Sequence, residues 1–473
     1  MIVAPASASV FRSPTAAHGL LVVGEGATVS RRGALASLVR GEMGNAIVSG
    51  GLPGGKPLIS LARAPARVTF YVVLPPPGSH HNVVRYPIAV VGPGYHGLLT
   101  DTSTRLPGLI SIADVARSVR ALERGDRPRI RSQPSTDPLG RLARFDRRLN
   151  RAHDSRVAAM GVLVGLMVLF TLTALVTRTA ALARTALLTP SACIAAAVVF
   201  SAAGISPPAT AVVGVGLAGA AAALAAGVLL PPRLPLALGL ATLFAFLFAV
   251  MWAQPVWNAL AVIGPHPDGG GRFYGVTNQV ETLLLPAALV LGALAGPSLL
   301  PVVALVVAAG ITASRVGADG GGLVVYLAGF LVLWLRLQRL SARKAALATA
   351  AAAGVALLLV GVDAATGGSS HVTHAVGGGP GTVLGDLGHR LHLSAAALGS
   401  SAWNATLFAL GVVGMVVLAL LRPRRPLVDA YLVALVVSLL VNDTPADVAG
   451  WGGLAAIALW LYASSAEASR RLE

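Results

Sequence analysis

The residues of this chain best suited to chemistry fall in four patches between long apolar stretches. The first, GPHPDGGGRFYGVTNQVE over residues 264–281, supplies Arg272, Tyr274, Asn278 and Glu281. Arg272 can grip a phosphate or carboxylate through two parallel hydrogen bonds. Asn278 and Glu281 stand three apart and share a face of any helix that starts there. A carboxylate entering a membrane-length apolar segment is costly, which makes Glu281 a functional candidate. The plainer alternative is an interfacial turn from which Glu281 reaches water. The second patch, SRVGADGGG over 314–322, carries Arg315 and Asp319 in a glycine run. Such runs line cavities where membrane helices are broken, or cradle phosphates with backbone N–H groups. A tight hairpin closed by an Arg315–Asp319 pair fits the same residues. The third patch, residues 363–401, holds His371 and His374, then His389, Arg390 and His392, around a hinge at Gly377–Gly381. Two HxxH pairs could close a divalent-metal site of the zinc type, although the spacing matches no metalloprotease pattern. His371 and Arg390 could instead contact an anion or substrate, and the plainer alternative is an amphipathic loop lying on the membrane with its histidines solvated. The fourth, Asn442-Asp443-Thr444-Pro445-Ala446-Asp447, reads as a helix cap at Asp443 or as a partner for the three arginines. Glu281, Asp319 and His371 are thus the candidate acid/base groups. Arg272, Tyr274, Asn278, Arg315 and Arg390 are the candidate substrate-binding groups.

The elements that must position these patches are membrane-length helices. Eleven apolar stretches are expected at 157–177, 186–204, 209–230, 235–254, 278–296, 299–314, 322–336, 345–362, 403–421, 427–441 and 449–464. Twelve arginines and lysines fall on one side of them, from Arg178 and Arg184 to Arg470 and Arg471. Only Arg272, Arg315 and Arg390 fall on the other. By the positive-inside rule the arginine-poor side, which carries all four patches, faces out of the cell. Trp252, Trp257, Trp403 and Trp451 at outer ends, with Trp334 and Trp460 at inner ends, mark interfacial belts. The expected fold is therefore a mainly α polytopic membrane bundle over residues 157–464, with a short inner tail at 465–473.

Composition excludes several function classes. Mean hydropathy is +0.74 and charged residues make up 12% of the chain, against about 25% in soluble domains. The net charge of +17 lies at helix ends and in one run before the first span, so lipid headgroups and not nucleic acid are the expected partners. The single cysteine, Cys193, rules out an internal disulfide and any multi-thiolate metal centre. No GxxxxGK[ST] or strand-bound GxGxxG is present, which argues against ATP-driven work by this chain.

Residues 1–135 read differently, as a small α/β domain, with an Arg-rich linker over 136–156. Extended runs at Val68–Leu74 and Val83–Val91 flank the turn-rich Pro75–Ser79, and a helix is expected near Ser111–Glu123. Counting eleven spans back from an inner C-terminus puts this domain outside. Six arginines between Arg141 and Arg156, and a start that lacks signal-peptide features, pull towards the inside.

The stretch RYPIAVVGPGYHGLLTDTSTRLPGLISIADV over 85–115 resembles a late segment of the alkaline-phosphatase superfamily. Together with Gly271–Gly275 and Ala318–Gly321, it is similar to bacterial multi-pass membrane proteins that carry an extracytoplasmic domain of that type. The resemblance implies a phosphate-handling ancestry, with His96 and Asp114 as remnants of a site. A two-metal phosphatase needs clustered Asp and His ligands around a nucleophile. Residues 1–156 hold five histidines and no carboxylate cluster, so an incomplete domain without hydrolysis is the expectation.

Three functions fit an outward polar site beside lipid. One is an enzyme acting on a lipid-linked or phosphorylated envelope substrate. Another is a transporter or flippase-like protein that binds such a lipid. The third is a non-catalytic subunit of an envelope assembly. Apolar spans with almost no internal charge argue against a proton pump or an ion channel.

Overall fold

The structure, a computed structural model, describes residues 19–23, 43–49, 68–73, 85–231, 233–265, 267, 272–365, 388, 392, 394–396, 398–399, 401–442 and 444–472. The chain divides into two units, one of residues 1–154 with 265–274, the other of 155–264 with 275–473.

In the first unit, β-branched and aromatic runs pair into one mixed sheet. The strands are β1 (Gly19–Val23), β2 (Met43–Ser49), β3 (Thr69–Val73), β4 (Tyr86–Val91), β5 (Gly97–Thr100), β6 (Leu109–Ser111) and β7 (Arg131–Gln133). Their order is β1-β3-β4-β2-β5-β7, and β6 also pairs with β2. The first half of β2 runs parallel to β5 and its second half parallel to β6, so both strands lie along one edge of β2. Helix α1 (Ile112–Glu123) follows β6 directly. It buries Ile112, Val115 and Val119 against Phe70, Ile88 and Val90, the inward positions of alternating strands. The expected extended runs and helix are therefore present. Residues 138–156, expected as a linker, are helical and form the first half of α2 (Pro138–Thr177), which continues unbroken into the first apolar stretch.

The second unit is helical: α3 (Ala180–Ala202), α4 (Pro208–Leu229), α5 (Leu234–Ala253), α6 (Pro255–Ala259), α7 (Asn278–Thr312), α8 (Gly320–Gln338), α9 (Ala342–Ala365), α10 (Ala402–Leu420), α11 (Pro426–Val441) and α12 (Pro445–Leu472). Among the described residues, eight helices are long and apolar enough to cross a membrane. By length and composition this is a multi-pass membrane protein. The outer faces agree, since Leu410 and Trp403 of α10 are 66% and 67% exposed and a face of that kind belongs in hydrocarbon.

Two of the three differences between these eight and the expected eleven follow from helix geometry. Helix α7 is kinked at Gly296, whose φ of +81° suits a residue without Cβ. Its two legs correspond to the stretches expected at 278–296 and 299–314. Helix α11 is short at 16 residues, and the stretch at 345–362 lies within α9. The final helix runs on to Leu472, through the expected tail.

Prolines inside α7 free carbonyls that neighbouring helices satisfy. Pro286 has no N–H for the carbonyl of Thr282, and the Tyr431 hydroxyl donates to that oxygen at 3.0 Å instead. Pro301 likewise leaves the carbonyl of Pro297, which accepts from the Trp334 indole at 3.1 Å. In a low-dielectric bundle each such carbonyl needs a donor.

The helices of this unit also have chemically distinct ends. Helix α8 starts at Asp319 and ends beyond Arg336, while antiparallel α11 starts after Arg425 and ends at Asn442. At one end Arg336 and Arg424 both engage Asp429, at 2.6 and 3.3 Å. At the same end Arg425 stacks on Trp460, 5.4 Å from the ring centroid. The opposite ends, about 28 Å away along the 19 residues of α8, carry the carboxylates and amides described next.

Candidate functional site

The site is built where three helix ends meet. Thr277 caps α7, its side chain accepting from the Val280 N–H at 3.2 Å, and this sets Glu281 in the first turn. Asp319 caps α8 by accepting from the Gly322 N–H at 3.1 Å. Both carboxylates thus sit at helix N-termini, where the backbone dipole favours negative charge. Both are fully buried, at 0% exposure.

Asn442, just past α11, ties the ends together. Its amide donates to Glu281 Oε2 at 3.3 Å and to Ser438 Oγ at 2.8 Å. Its main-chain carbonyl accepts from the Ser394 hydroxyl at 3.3 Å. A Cβ built on Gly321 would stand 2.9 Å from Asn442 Oδ1 and 3.5 Å from Asp319 Oδ1, so these two side chains close over the start of α8. Tyr326 from α8 donates to the carbonyl of Glu281 at 3.1 Å, and its hydroxyl lies within electrostatic reach of both carboxylates. Asn278 donates to Thr444 Oγ1 at 3.2 Å.

The connecting backbone is as tightly specified. The Val276 N–H donates to the carbonyl of Gly317 at 2.8 Å, and the Gly275 N–H to Asn258 Oδ1 at 2.7 Å. Gly275 holds φ +90°, and a Cβ there would lie 2.1 Å from the Gly317 oxygen. The loop after α7 folds back on its own helix, with the Asp319 N–H on the carbonyl of Ile311 at 2.9 Å. The four patches of the sequence therefore converge in part: residues 275–281, 317–322, Ser394, and Asn442 with Thr444.

Of the residues expected to act, Glu281, Asp319 and Asn278 are brought together here. Arg315 is exposed in the loop four residues before Asp319. Arg272 and Tyr274 belong to the first unit, where the Arg105 guanidinium lies 4.9 Å over the Tyr274 ring. His371, His374, His389 and Arg390 lie outside the described residues, as does Asp443, while His392 is exposed. Among the described residues no group of three or more His, Cys, Asp or Glu could hold a metal ion. Sequence reasoning passed over Ser438, Tyr326 and Tyr431, and named Asn442 within its patch without giving it a role. Their one legible signal was polar side chains set in apolar helices.

The first unit holds a second polar cluster around Asp101 and Asp114. Asp101 accepts from the Thr104 N–H at 2.6 Å and the Ser111 N–H at 2.7 Å, and so fixes the turn between β5 and β6. Burial pushes its carboxyl up to about 6, against the pull of those two donors. Asp114 is fully buried, accepts from the Ser103 hydroxyl and pairs with Arg129 at 3.4 Å and Arg117 at 3.5 Å. His96 is exposed, and its backbone N–H bonds Ser132.

Comparison with protein-family models, with curated proteins and with solved structures found no match.

Proposed function

We propose that this multi-pass membrane protein has eleven spans and an outward-facing polar site that binds the head of a lipid-linked, phosphorylated envelope substrate. The observation that carries the proposal is the meeting of Glu281, Asp319 and Asn442 at one end of an apolar bundle. Carboxylates inside a membrane domain are expensive and are retained where they serve a function. The residue types suggest what is bound. Carboxylates and an amide suit the hydroxyl or amino groups of a sugar-like head, and Arg315 at the mouth of the same loop suits a phosphate. Binding without covalent chemistry is favoured over hydrolysis or transfer. Asp319 Oδ1 is committed to the cap of α8, and Glu281 Oε2 takes the Asn442 amide.

The sorting of arginines supports an outer location for the site, because Arg336, Arg424 and Arg425 gather at the opposite helix ends. For the first unit we keep the reading of an incomplete alkaline-phosphatase-like domain, placed outside. Asp114 is engaged by Arg117 and Arg129, which does not suit a metal ligand.

Native mass spectrometry of the detergent-purified protein with a glycosylated polyprenyl diphosphate tests the proposal, with phosphatidylcholine as the comparison lipid. The glycosylated lipid should be retained at one copy per chain, and Glu281→Gln or Asn442→Leu should reduce retention at least tenfold. Equal retention of the two lipids, or retention unchanged in both variants, would overturn it.

A further inference from the structure

A strongly basic concavity lies in the first unit. Arg117, Arg120 and Arg124 stand at i, i+3 and i+7 on α1 and so share one face. Arg127 and Arg129 approach from the turn that follows, and the five guanidiniums with Asp126 line a cleft of about 350 Å³. Over residues 114–129, five arginines face Asp114, Glu123 and Asp126, which leaves two net positive charges.

A purely structural account covers only part of this. Arg120 and Arg124 lie in the last turn and at the C-cap of α1, where a cation complements the helix dipole. Arg124 pairs with Asp126 at 2.8 Å, and Arg117 and Arg129 pair with Asp114. Arg127 lies beyond the helix, and among the described residues the ion pairs of this cleft are made by Arg117, Arg124 and Arg129, with none to Arg120 or Arg127. Like charges held this close repel unless an anion neutralises them. Guanidinium forks match phosphate oxygens two at a time and shed water more readily than ammonium groups do. The volume exceeds that of one inorganic phosphate and admits a diphosphate or a phosphate ester with its substituent.

We propose that this cleft binds a phosphate-bearing dianion, with Arg120 and Arg127 as its principal contacts. The ligand has two possible sources, a free phosphate compound or the headgroup of a phospholipid.

Isothermal titration calorimetry on the full-length detergent-purified protein at low ionic strength separates them. The probes are inorganic pyrophosphate and dihexanoyl phosphatidic acid below its micelle concentration. At least one should bind, and the Arg120→Gln/Arg127→Gln variant should bind it at least tenfold more weakly while melting at the same temperature. Pyrophosphate binding alone identifies a free phosphate ligand, and tighter phosphatidic acid binding identifies a lipid headgroup. If the double variant misfolds, Arg127→Gln alone tests the same contact from a loop, with at least a threefold loss expected. Binding of neither probe, or binding unchanged in the variants, would overturn the proposal.

Discussion

The carbonyl of Thr282 gives a sharp test of how this bundle is held together. Pro286 deprives it of the N–H that a helix would supply, and the Tyr431 hydroxyl takes that place at 3.0 Å. Tyr431 is 0% exposed and Thr282 1%, so no water can substitute. Replacing Tyr431 by Phe removes one oxygen and leaves the ring packing intact. The cost should be that of a buried acceptor losing its donor, about 1–3 kcal/mol. The lower part of that range is expected, because interhelical hydrogen bonds within membranes average about 0.6 kcal/mol. The decisive step is a second substitution. Pro286→Ala restores the N–H four residues after Thr282, so in that background Tyr431→Phe should cost little. Equilibrium unfolding by SDS titration in mixed micelles measures all four proteins of the cycle, with an expected coupling of about 1 kcal/mol or more. If Tyr431→Phe costs the same with and without the proline, the phenol does not replace the missing helix donor and the reasoning fails.

Other perturbations have equally definite outcomes. Gly275→Ala puts a Cβ 2.1 Å from the Gly317 oxygen at φ +90°, and should lower stability by about 2 kcal/mol or more in the same titration. A loss under about 0.5 kcal/mol would mean the two loops are not in register. Asp101 titrates near 6 folded against 3.8 unfolded, so between those values the folded chain keeps a proton that the unfolded chain has lost. Its contribution to stability is therefore largest below pH 3.8, falls as pH rises to 6 by about 3 kcal/mol, and is constant above. Thermal unfolding across pH 4–7 should show that fall in the native protein and a flatter profile in Asp101→Asn; identical profiles would contradict it. Topology is read by cysteine labelling in intact cells with an impermeant maleimide. Thr102→Cys, in the exposed β5–β6 turn, should label directly, and Ser341→Cys, between α8 and α9, only after permeabilisation. Cys193 is buried and should stay silent. The reverse pattern would invert the proposed orientation.

How far the site was legible in the sequence depended on the range of the interaction. Glu281 and Asp319 stood out because a carboxylate at the edge of an apolar stretch is costly enough to be informative by itself. Arg272 and Tyr274 were grouped with them by nearness in sequence, yet the unit boundary falls between Tyr274 and Gly275. Asp443 drew notice as the charged member of its patch and lies outside the described residues, while its neighbour Asn442 bonds Glu281 and Ser438. A neutral amide carries no charge signal, and its importance lies wholly in what it reaches.

The sequence by itself determined where the apolar helices lie and how the charged residues are distributed among their ends. Apolar length marks the segments long enough to cross a membrane, and β-branched runs mark two of the seven described strands of the first unit, β3 and β4. These are local properties, set by side-chain solvation and backbone propensity within a few turns. Only the tertiary structure decided that residues 281 and 442, 161 positions apart, share a hydrogen bond, or that Tyr431 serves a carbonyl freed by Pro286. Apolar helices present little that distinguishes one packing face from another in sequence. Which faces meet is settled by glycine-sized close approaches and by the need of each buried polar group to find a partner, and both are properties of the assembled bundle.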